Sequence, residues 1–372
     1  MKSGLLELKK NHLLRELPSS NPQKINLSLH SNDYLNLAKH PNLIKALQYA
    51  AGNSGISSTG SRLLSGNHSL FETLERNLAT FTGYEKALVF NCGYQLNLGV
   101  ISTLYGKNDL ILADKYIHAS LLDGMQLSQA TFKRFKHNDT AHLLKLLITY
   151  RKQFDRCLIV SESLFSMDGD TAPINKLSTL CSDFNAQLMI DEAHSIGVLG
   201  PHGKGLTALS NVKPDYLIGT FGKAFGSQGA FIASNATSID YLINHCRSFI
   251  YSTALPLPVI AATQAALDLM PTLDFQRQKL SDISAYFCQQ LTKFNIPFLG
   301  HHHIISVLLA GNKNVVSLKN NFQKQHINVA AIRHPTVPKG KERLRFSLTS
   351  QLTTADIDLI IEQLHASDNL SS

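Results

Sequence analysis

No stretch of the 372-residue chain approaches the eighteen or so apolar residues that a membrane-spanning helix requires. Nor does any run of five or more Lys and Arg occur, although the formal net charge is +8. Without a basic stripe or an aromatic RNA-binding motif, nucleic acid is not an expected partner. Five cysteines (Cys92, Cys157, Cys181, Cys246 and Cys288) are scattered, odd in number and free of any C-x-x-C spacing. That excludes a disulfide framework and a cysteine zinc site, and it suits reduced thiols in a cytosol. Residues 1–18 mix charges with leucines and lack the continuous apolar core of a signal peptide, so the expected location is cytoplasmic, away from membranes. His301-His302-His303 has no spaced acidic or cysteine partner; it reads as a polar entry to a strand, and no metal is expected.

What the chain does contain is an ordinary globular composition, 44% hydrophobic and 17% charged. Its length suits one large domain and a smaller one. The positive charge serves solubility or the attraction of an acidic substrate or carrier. Residues 5–17 read as a short amphipathic helix with Leu5, Leu8, Leu13 and Leu17 near one face, on which Arg15 is a solvated charge. The Gly/Ser-rich stretch 54–66, with Arg62 in it, is either a linker or an ordered loop lining a site. Ser69-x-x-Glu72 has the pattern of a capping box, opening a helix with Leu70, Leu74, Leu78 and Phe81 on one face and Gly83 at its end.

Short apolar runs then alternate with helical stretches such as Ala141–Tyr150 and Pro173–Asn185. The expected strands are Ala87–Asn91, Leu110–Ala113, Cys157–Ser161, Leu188–Asp191, Tyr216–Thr220 and Gly229–Ala233. Strands alternating with helices predict an α/β domain built on a largely parallel sheet. Ligands of such sheets collect beyond the carboxyl ends of the strands. Polar residues fall there at five consecutive strands: Asn91 to Tyr94, Asp114 with His118, Glu162 with Ser166, Asp191 to His194, and Thr220 with Lys223. After Pro256-Leu257-Pro258 a helical stretch, Val259–Leu273, leads to a smaller region with strand-like Ile304–Ala310 and Arg343–Leu348.

Asp191-Glu192-Ala193-His194 could be the DEAH box of a nucleotide-driven helicase, but that needs a Walker A loop. Neither Gly203-Lys204 nor Gly222-Lys223 precedes Ser or Thr, and Val198 and Leu217 stand where the first glycine belongs. An aspartate at one strand end and a lysine 32 residues later at the tip of the next is instead the pair a pyridoxal phosphate site requires. The lysine amine forms a Schiff base, and the carboxylate pairs with the pyridine nitrogen and keeps it protonated. His194 and Ser166 could reach the ring's phenolic oxygen, and His118 could cover its face. Gly93-Tyr94, at a helix start, would offer N–H groups to the phosphate.

On its motifs the chain resembles the α-oxoamine synthases, pyridoxal-phosphate enzymes of fold type I, over almost its whole length. These motifs are Ser31–Leu35, His118–Leu122, Phe165–Asp170, Asp191–His194, Thr220–Lys223, Ile250–Thr253, Pro335–Pro338 and Arg343–Arg345. Thr-Phe-Gly-Lys with Ile-Tyr-Ser-Thr looks most like the biotin branch. The resemblance implies a large domain with a mostly parallel seven-stranded sheet and a smaller C-terminal α+β domain. The borders would be an N-terminal segment 1–40, a cofactor domain 41–258, and a linking helix with the small domain 259–372. It makes Lys223 the cofactor lysine, Asp191 the ring-nitrogen partner, His194 and Ser166 the phenolic-oxygen contacts, and His118 the stacking group. Gly93, Tyr94 and Thr220 would surround the phosphate, with Thr253 reaching it from the neighbouring subunit of a homodimer. Arg345 would grip the amino-acid carboxylate, with Arg15, Asn32 and Thr336 lining the substrate region.

The implied reaction is decarboxylative condensation of L-alanine with a pimeloyl thioester, carried on coenzyme A or on an acyl carrier protein. Relatives that use glycine with other acyl thioesters are the alternative, and a non-catalytic partner subunit is a third, opposed by the intact Lys223, Asp191 and His194. Two departures stand out. Asn36 replaces a usual glycine, and Glu192-Ala193-His194-Ser195 is closer to the sphingolipid branch than the common Asp-Ala-His-Gly.

Overall fold

A computed structural model describes residues 2–15, 17 and 26–366. Its strands are numbered along the chain from the two-residue β1 (Leu27–Ser28). The next seven are β2 (Lys86–Phe90), β3 (Asp109–Asp114), β4 (Thr131–Phe135), β5 (Arg156–Glu162), β6 (Gln187–Asp191), β7 (Tyr216–Thr220) and β8 (Ala230–Ser234). They form one sheet in the order β2-β8-β7-β6-β5-β3-β4. The β4-β3-β5-β6-β7 ladder is parallel throughout, and β8 alone runs against its neighbours β7 and β2.

The central strands are covered on both faces, which is why they read as continuous apolar runs rather than as alternation. Leu110–Ala113, Leu158–Val160, Leu188–Ile190 and Ala230–Ala233 are all buried. Edge strand β4, Thr-Phe-Lys-Arg-Phe, buries only Phe135 fully, so its sequence carried no strand signal. No helix among the described residues is long and apolar enough to cross a membrane.

The chain divides into a larger unit, Leu35–Phe165 with Thr171–Asp274, and a smaller one, Met1–Tyr34 with Ser166–Asp170 and Phe275–Ser372. These borders differ from 40/41 and 258/259. The helix Leu257–Leu269 stays with the larger unit because it buries Ile260, Ala262, Thr263 and Ala266 and packs along the helix Pro41–Ser54. Residues Ser166–Asp170 join the smaller unit, where Met167 O accepts from Ser306 Oγ at 2.6 Å.

Within the larger unit two helices, Gly93–Leu104 and Ala119–Ser128, lie against each other. Gly124 permits this: a Cβ there would stand 2.7 Å from Asn97 O. The helix Ser69–Thr82 ends at left-handed Gly83 as expected, but the capping box does not form. His68 is the N-cap, with Nδ1 accepting from Leu70 N at 3.2 Å, while Glu72 accepts from Asn67 Nδ2 at 3.0 Å. Its buried face is Phe71, Leu74, Leu78 and Ala79, so Leu70 and Phe81 are only half covered.

Stretch 54–66 is an ordered loop. Ser61 bridges to Thr253, Ala254 N donates to Gly60 O at 2.9 Å, and Ser58 Oγ donates to Leu255 O at 2.5 Å. Arg62 pairs with Glu75 through two bonds of 2.8 and 3.0 Å and lies over the Phe71 ring at 4.1 Å. Asn36 has φ 57°, so the turn of the usual glycine survives, asparagine being tolerant of the left-handed region. Close by, Gly226 has φ +61° and a Cβ on it would come 2.3 Å from Ala38 N, which presses the loop after Lys223 against the Asn36 turn.

The smaller unit holds a four-stranded antiparallel sheet in the order β12-β13-β10-β9. Its strands are β9 (Phe298–Leu299), β10 (Ile304–Leu308), β12 (Ala330–Ile332) and β13 (Arg343–Ser347), while β11 (Ile327–Asn328) pairs in parallel with β1. The His301–His303 stretch is a bend leading into β10. The N-terminal helix spans Lys2–Lys10 rather than 5–17, ending where His12 takes φ 54°. Glu16 of that expectation lies outside the described residues.

The Arg62–Glu75 pair is the test of the loop. Both side chains are nearly buried, at 10% and 14% exposure, so Arg62→Ala leaves a carboxylate without its cation. Urea denaturation should show a loss of about 3 kcal/mol. A loss under about 1 kcal/mol would mean the pair is no more than a surface contact.

Candidate active site

The parallel ladder sets the carboxyl ends of β3, β5, β6 and β7 along one edge of the sheet. Register places Glu162 opposite Asp191, and Asp191 opposite Ile218, two residues before Thr220. Asp191 is 7% exposed and is held from two sides. Its Oδ1 accepts from Ala193 N at 2.9 Å, and its Oδ2 accepts from Asn97 Nδ2 at 3.1 Å. Asn97 also donates to Ser120 Oγ at 2.9 Å, and its own Oδ1 is buried without a partner. The next loop residue, Glu192, is fully buried and accepts from Thr207 N at 2.7 Å, Leu206 N at 3.1 Å and Ser163 Oγ at 2.8 Å. Ser195 Oγ donates to it as well. This network braces the loop that carries His194, itself 7% exposed.

His118 caps the helix Ala119–Ser128: Nδ1 accepts from Ser120 N at 3.2 Å and lies 2.7 Å from Ser120 Oγ. Partial shielding, with Lys223 adding to it, lowers the His118 pKa against the opposing pull of Asp191 and Asp123. Glu162, 4% exposed, is driven the other way: burial first, then Asp191, push its carboxyl up to about 8, with Lys223 pulling down. Asp191 and Lys223 therefore act electrostatically on both His118 and Glu162. Lys223 is half-buried in the loop after β7, where Gly226 N donates to Lys223 O at 2.9 Å. Thr220 Oγ1 accepts from Gly222 N at 3.3 Å and donates to Gly229 O at 2.9 Å.

Gly93 and Tyr94 open the helix that follows β2. Cys92 caps it, with Sγ accepting from Gln95 N at 3.5 Å and O from Leu96 N at 3.1 Å. The N–H groups of Gly93 and Tyr94 thus point out of the helix with no partner among the described residues, at the positive end of its dipole. Nothing lies within 4 Å of where a Gly93 Cβ would be. The Tyr94 ring stands edge-on to His118 at 6.2 Å, and its hydroxyl donates to Asp123. Thr253 is exposed, and its carbonyl accepts from Asn91 Nδ2 at 2.7 Å within the same chain.

In the smaller unit, Arg345 is 5% exposed on β13. Its nitrogens donate to Ser166 O at 2.6 Å, Ser347 Oγ at 2.7 Å and Asn32 Oδ1 at 3.2 Å. All three acceptors are neutral, so this buried cation has no carboxylate bonded to it among the described residues. Arg15 and Thr336 form a separate, exposed pair, Nη2 to Oγ1 at 3.1 Å. The structure thus gathers His118, Asp191, His194 and Lys223 in one unit, and Asn32, Ser166 and Arg345 in the other. Asn97, Ser120 and Ser163 escaped the sequence reading. The available signal for Asn97 was an amide set between Leu96 and Leu98, one turn after Gly93.

Residues 23–364 match the family "Aminotransferase class I and II". The 8-amino-7-oxononanoate synthase of Saccharophagus degradans is 40% identical over 90% of this chain and 85% of its own length. That of Cellvibrio japonicus is 41% identical over 92% and 86%. Among solved structures, 8-amino-7-oxononanoate synthase from Francisella tularensis superposes with TM-score 0.80 at 31% identity, over 92% of this chain and 97% of that one. Sphingomonas wittichii serine palmitoyltransferase gives TM-score 0.90 at 29% identity, over 98% and 95%. A further palmitoyltransferase structure, described as holding its pyridoxal phosphate as an internal aldimine, gives TM-score 0.88 at 30% identity over 91% and 86%.

The electrostatics of His118 give a signed prediction. Its NMR titration midpoint should fall below the usual value of about 6.5. Asp123→Asn removes an anion and should lower it further; Lys223→Ala removes a cation and should raise it. A wild-type midpoint above about 6.5 would contradict this arrangement of charges.

Proposed function

The chain belongs to the class I and II aminotransferase family, as an α-oxoamine synthase of the pyridoxal-phosphate fold type I, and we propose that it condenses L-alanine with a pimeloyl thioester. The products are 8-amino-7-oxononanoate, carbon dioxide and the free thiol carrier, a step of biotin synthesis. One observation supports the choice of substrates above others. Relatives bearing that enzyme's name are closer in sequence than the serine palmitoyltransferases, although the latter superpose as well or better.

The residues fit the cofactor. A buried oxygen, Asn97 Oδ1, has no partner, and a helix N-terminus with free N–H groups faces open space at Gly93. Asp191 would hold the ring nitrogen, His194 and Ser166 the phenolic oxygen, and His118 the ring face. Gly93, Tyr94 and Thr220 would take the phosphate. When bound, pyridoxal phosphate supplies an electron sink conjugated to the amino-acid Cα.

Lys223 would first hold the cofactor and then, released by alanine, take the Cα proton as general base. Its half-buried place in the loop after β7 puts that amine at the same strand-end edge as Asp191. Arg345, with no carboxylate bonded to it among the described residues, would receive the alanine carboxylate in its planar fork. Asn32 and Ser166 preset that fork from two sides. Arg15 and Thr336 would line the acyl donor's path. The net charge of +8 suits either acidic carrier, coenzyme A or an acyl carrier protein.

A homodimer and a cytoplasmic location belong to the same reading. All five cysteines are unpaired. Ile56, Leu64 and Tyr251 are 82%, 81% and 73% exposed, on segments joined by the Ser61–Thr253 bridge. Large apolar side chains so grouped suit a surface covered by a second copy, which could bring Thr253 to its neighbour's phosphate.

Purified protein given L-alanine and pimeloyl-CoA should release thiol and carbon dioxide in equal amounts. Lys223→Ala should abolish turnover, and Arg345→Lys should raise the KM for alanine by about tenfold or more. Thiol release with glycine and a shorter acyl-CoA, but not with this pair, would overturn the substrate assignment and favour the glycine-using relatives. Sedimentation should find a dimer that Leu64→Asp drives toward monomer; a monomeric wild type would contradict the interface.

A further inference from the structure

The larger unit holds a second buried carboxyl for which the proposed chemistry has no use. Glu162 ends β5 as Asp191 ends β6, and their Cα atoms are paired across the ladder. The two differ in what serves them. Asp191 has a donor on each oxygen, Ala193 N and Asn97 Nδ2. Glu162 has no such pair of donors: its Oε1 is buried with no partner, and the main-chain N–H of His118 only partly offsets the rise of its pKa.

Adjacent carboxylates in a dry site do not both ionise; the proton stays on the one with the poorer set of donors. The charged groups facing Glu162 are Asp191 on β6, Asp114 at the end of β3 and Lys223 after β7. Two anions thus oppose its ionisation and one cation favours it, and burial adds to the first side.

We propose that Glu162 is a positioning residue: a neutral carboxylic acid, buried beside Asp191 across the ladder, that leaves Asp191 the one anion of the pair. The proposal rests on reading this site as the pyridoxal phosphate site. As a neutral acid, Glu162 also adds a donor where a carboxylate would offer acceptors only.

The test compares wild-type holoenzyme with Glu162→Gln and Glu162→Ala. Glutamine is neutral and nearly isosteric, so cofactor affinity should stay within about threefold of wild type. The pH midpoint of the bound cofactor's absorbance change should also move by less than about 0.3. Glu162→Ala, which removes the buried carboxyl beside Asp191 and leaves a void there, should weaken cofactor binding by about tenfold. A Glu162→Gln protein that loses about tenfold in affinity or shifts that midpoint by about one unit would overturn the proposal.

A second readout does not involve the cofactor's chemistry. A carboxyl whose folded pKa is raised from 4.5 to about 8 binds more protons folded than unfolded between those values. It therefore costs stability as pH rises through that window. The denaturation midpoint of Glu162→Gln should gain on wild type from about pH 5 to 8, and parallel curves would refute a protonated Glu162. Should wild type fail to bind pyridoxal phosphate, the site reading falls, while this comparison still decides the protonation state of Glu162.

Discussion

Everything in the larger unit depends on keeping one negative charge, Asp191, alive inside a protein core. Burying a carboxylate is costly unless donors meet it. Here Asn97 and Ala193 N supply them, and their positions follow from larger features of the fold. Asn97 is brought to Asp191 by a helix that must approach its neighbour closely enough to require Gly124. Ala193 N is aimed by a loop that Glu192 braces against Leu206, Thr207, Ser163 and Ser195. The two sequence departures of this loop, Glu192 and Ser195, are partners of each other. They answer to one another in the structure.

Much of this was legible in the sequence because a buried parallel sheet writes a simple pattern. Apolar runs mark the strands, and polar residues cluster where the runs stop. The strand ends at Asp114, Glu162, Asp191 and Thr220 all read correctly as one edge. Elements that are exposed or that depend on distant partners were not legible. β4 sits at the sheet edge with Lys133 half-covered and Arg134 exposed, so no apolar run announced it. At Ser69 a local capping pattern lost to His68, one residue earlier, whose ring nitrogen reaches Leu70 N. Arg62 read equally well as a linker or a site residue, because Glu75 and Phe71, which fix it, lie 13 and 9 residues further along.

The site residues divide in the same way. Lys223, Asp191, His194 and His118 are recognisable by type and by place on the chain. Asn97 acts through a helix packing that only three dimensions reveal. Glu162 was visible at a strand end, but its state is set by an orphaned oxygen and a neighbouring anion. In the smaller unit, Arg345 stands out because its three acceptors are all neutral. A buried guanidinium so held is preorganised for an anion that the described residues do not bond to it.

The most direct measurement of the account is where the cofactor attaches. Purified protein loaded with pyridoxal phosphate would be reduced with borohydride, digested, and its peptides analysed by mass spectrometry. The account predicts the added cofactor mass on Lys223, within the peptide containing Thr220-Phe221-Gly222-Lys223. Stoichiometric labelling of any other lysine, with Lys223 left unmodified, would contradict it.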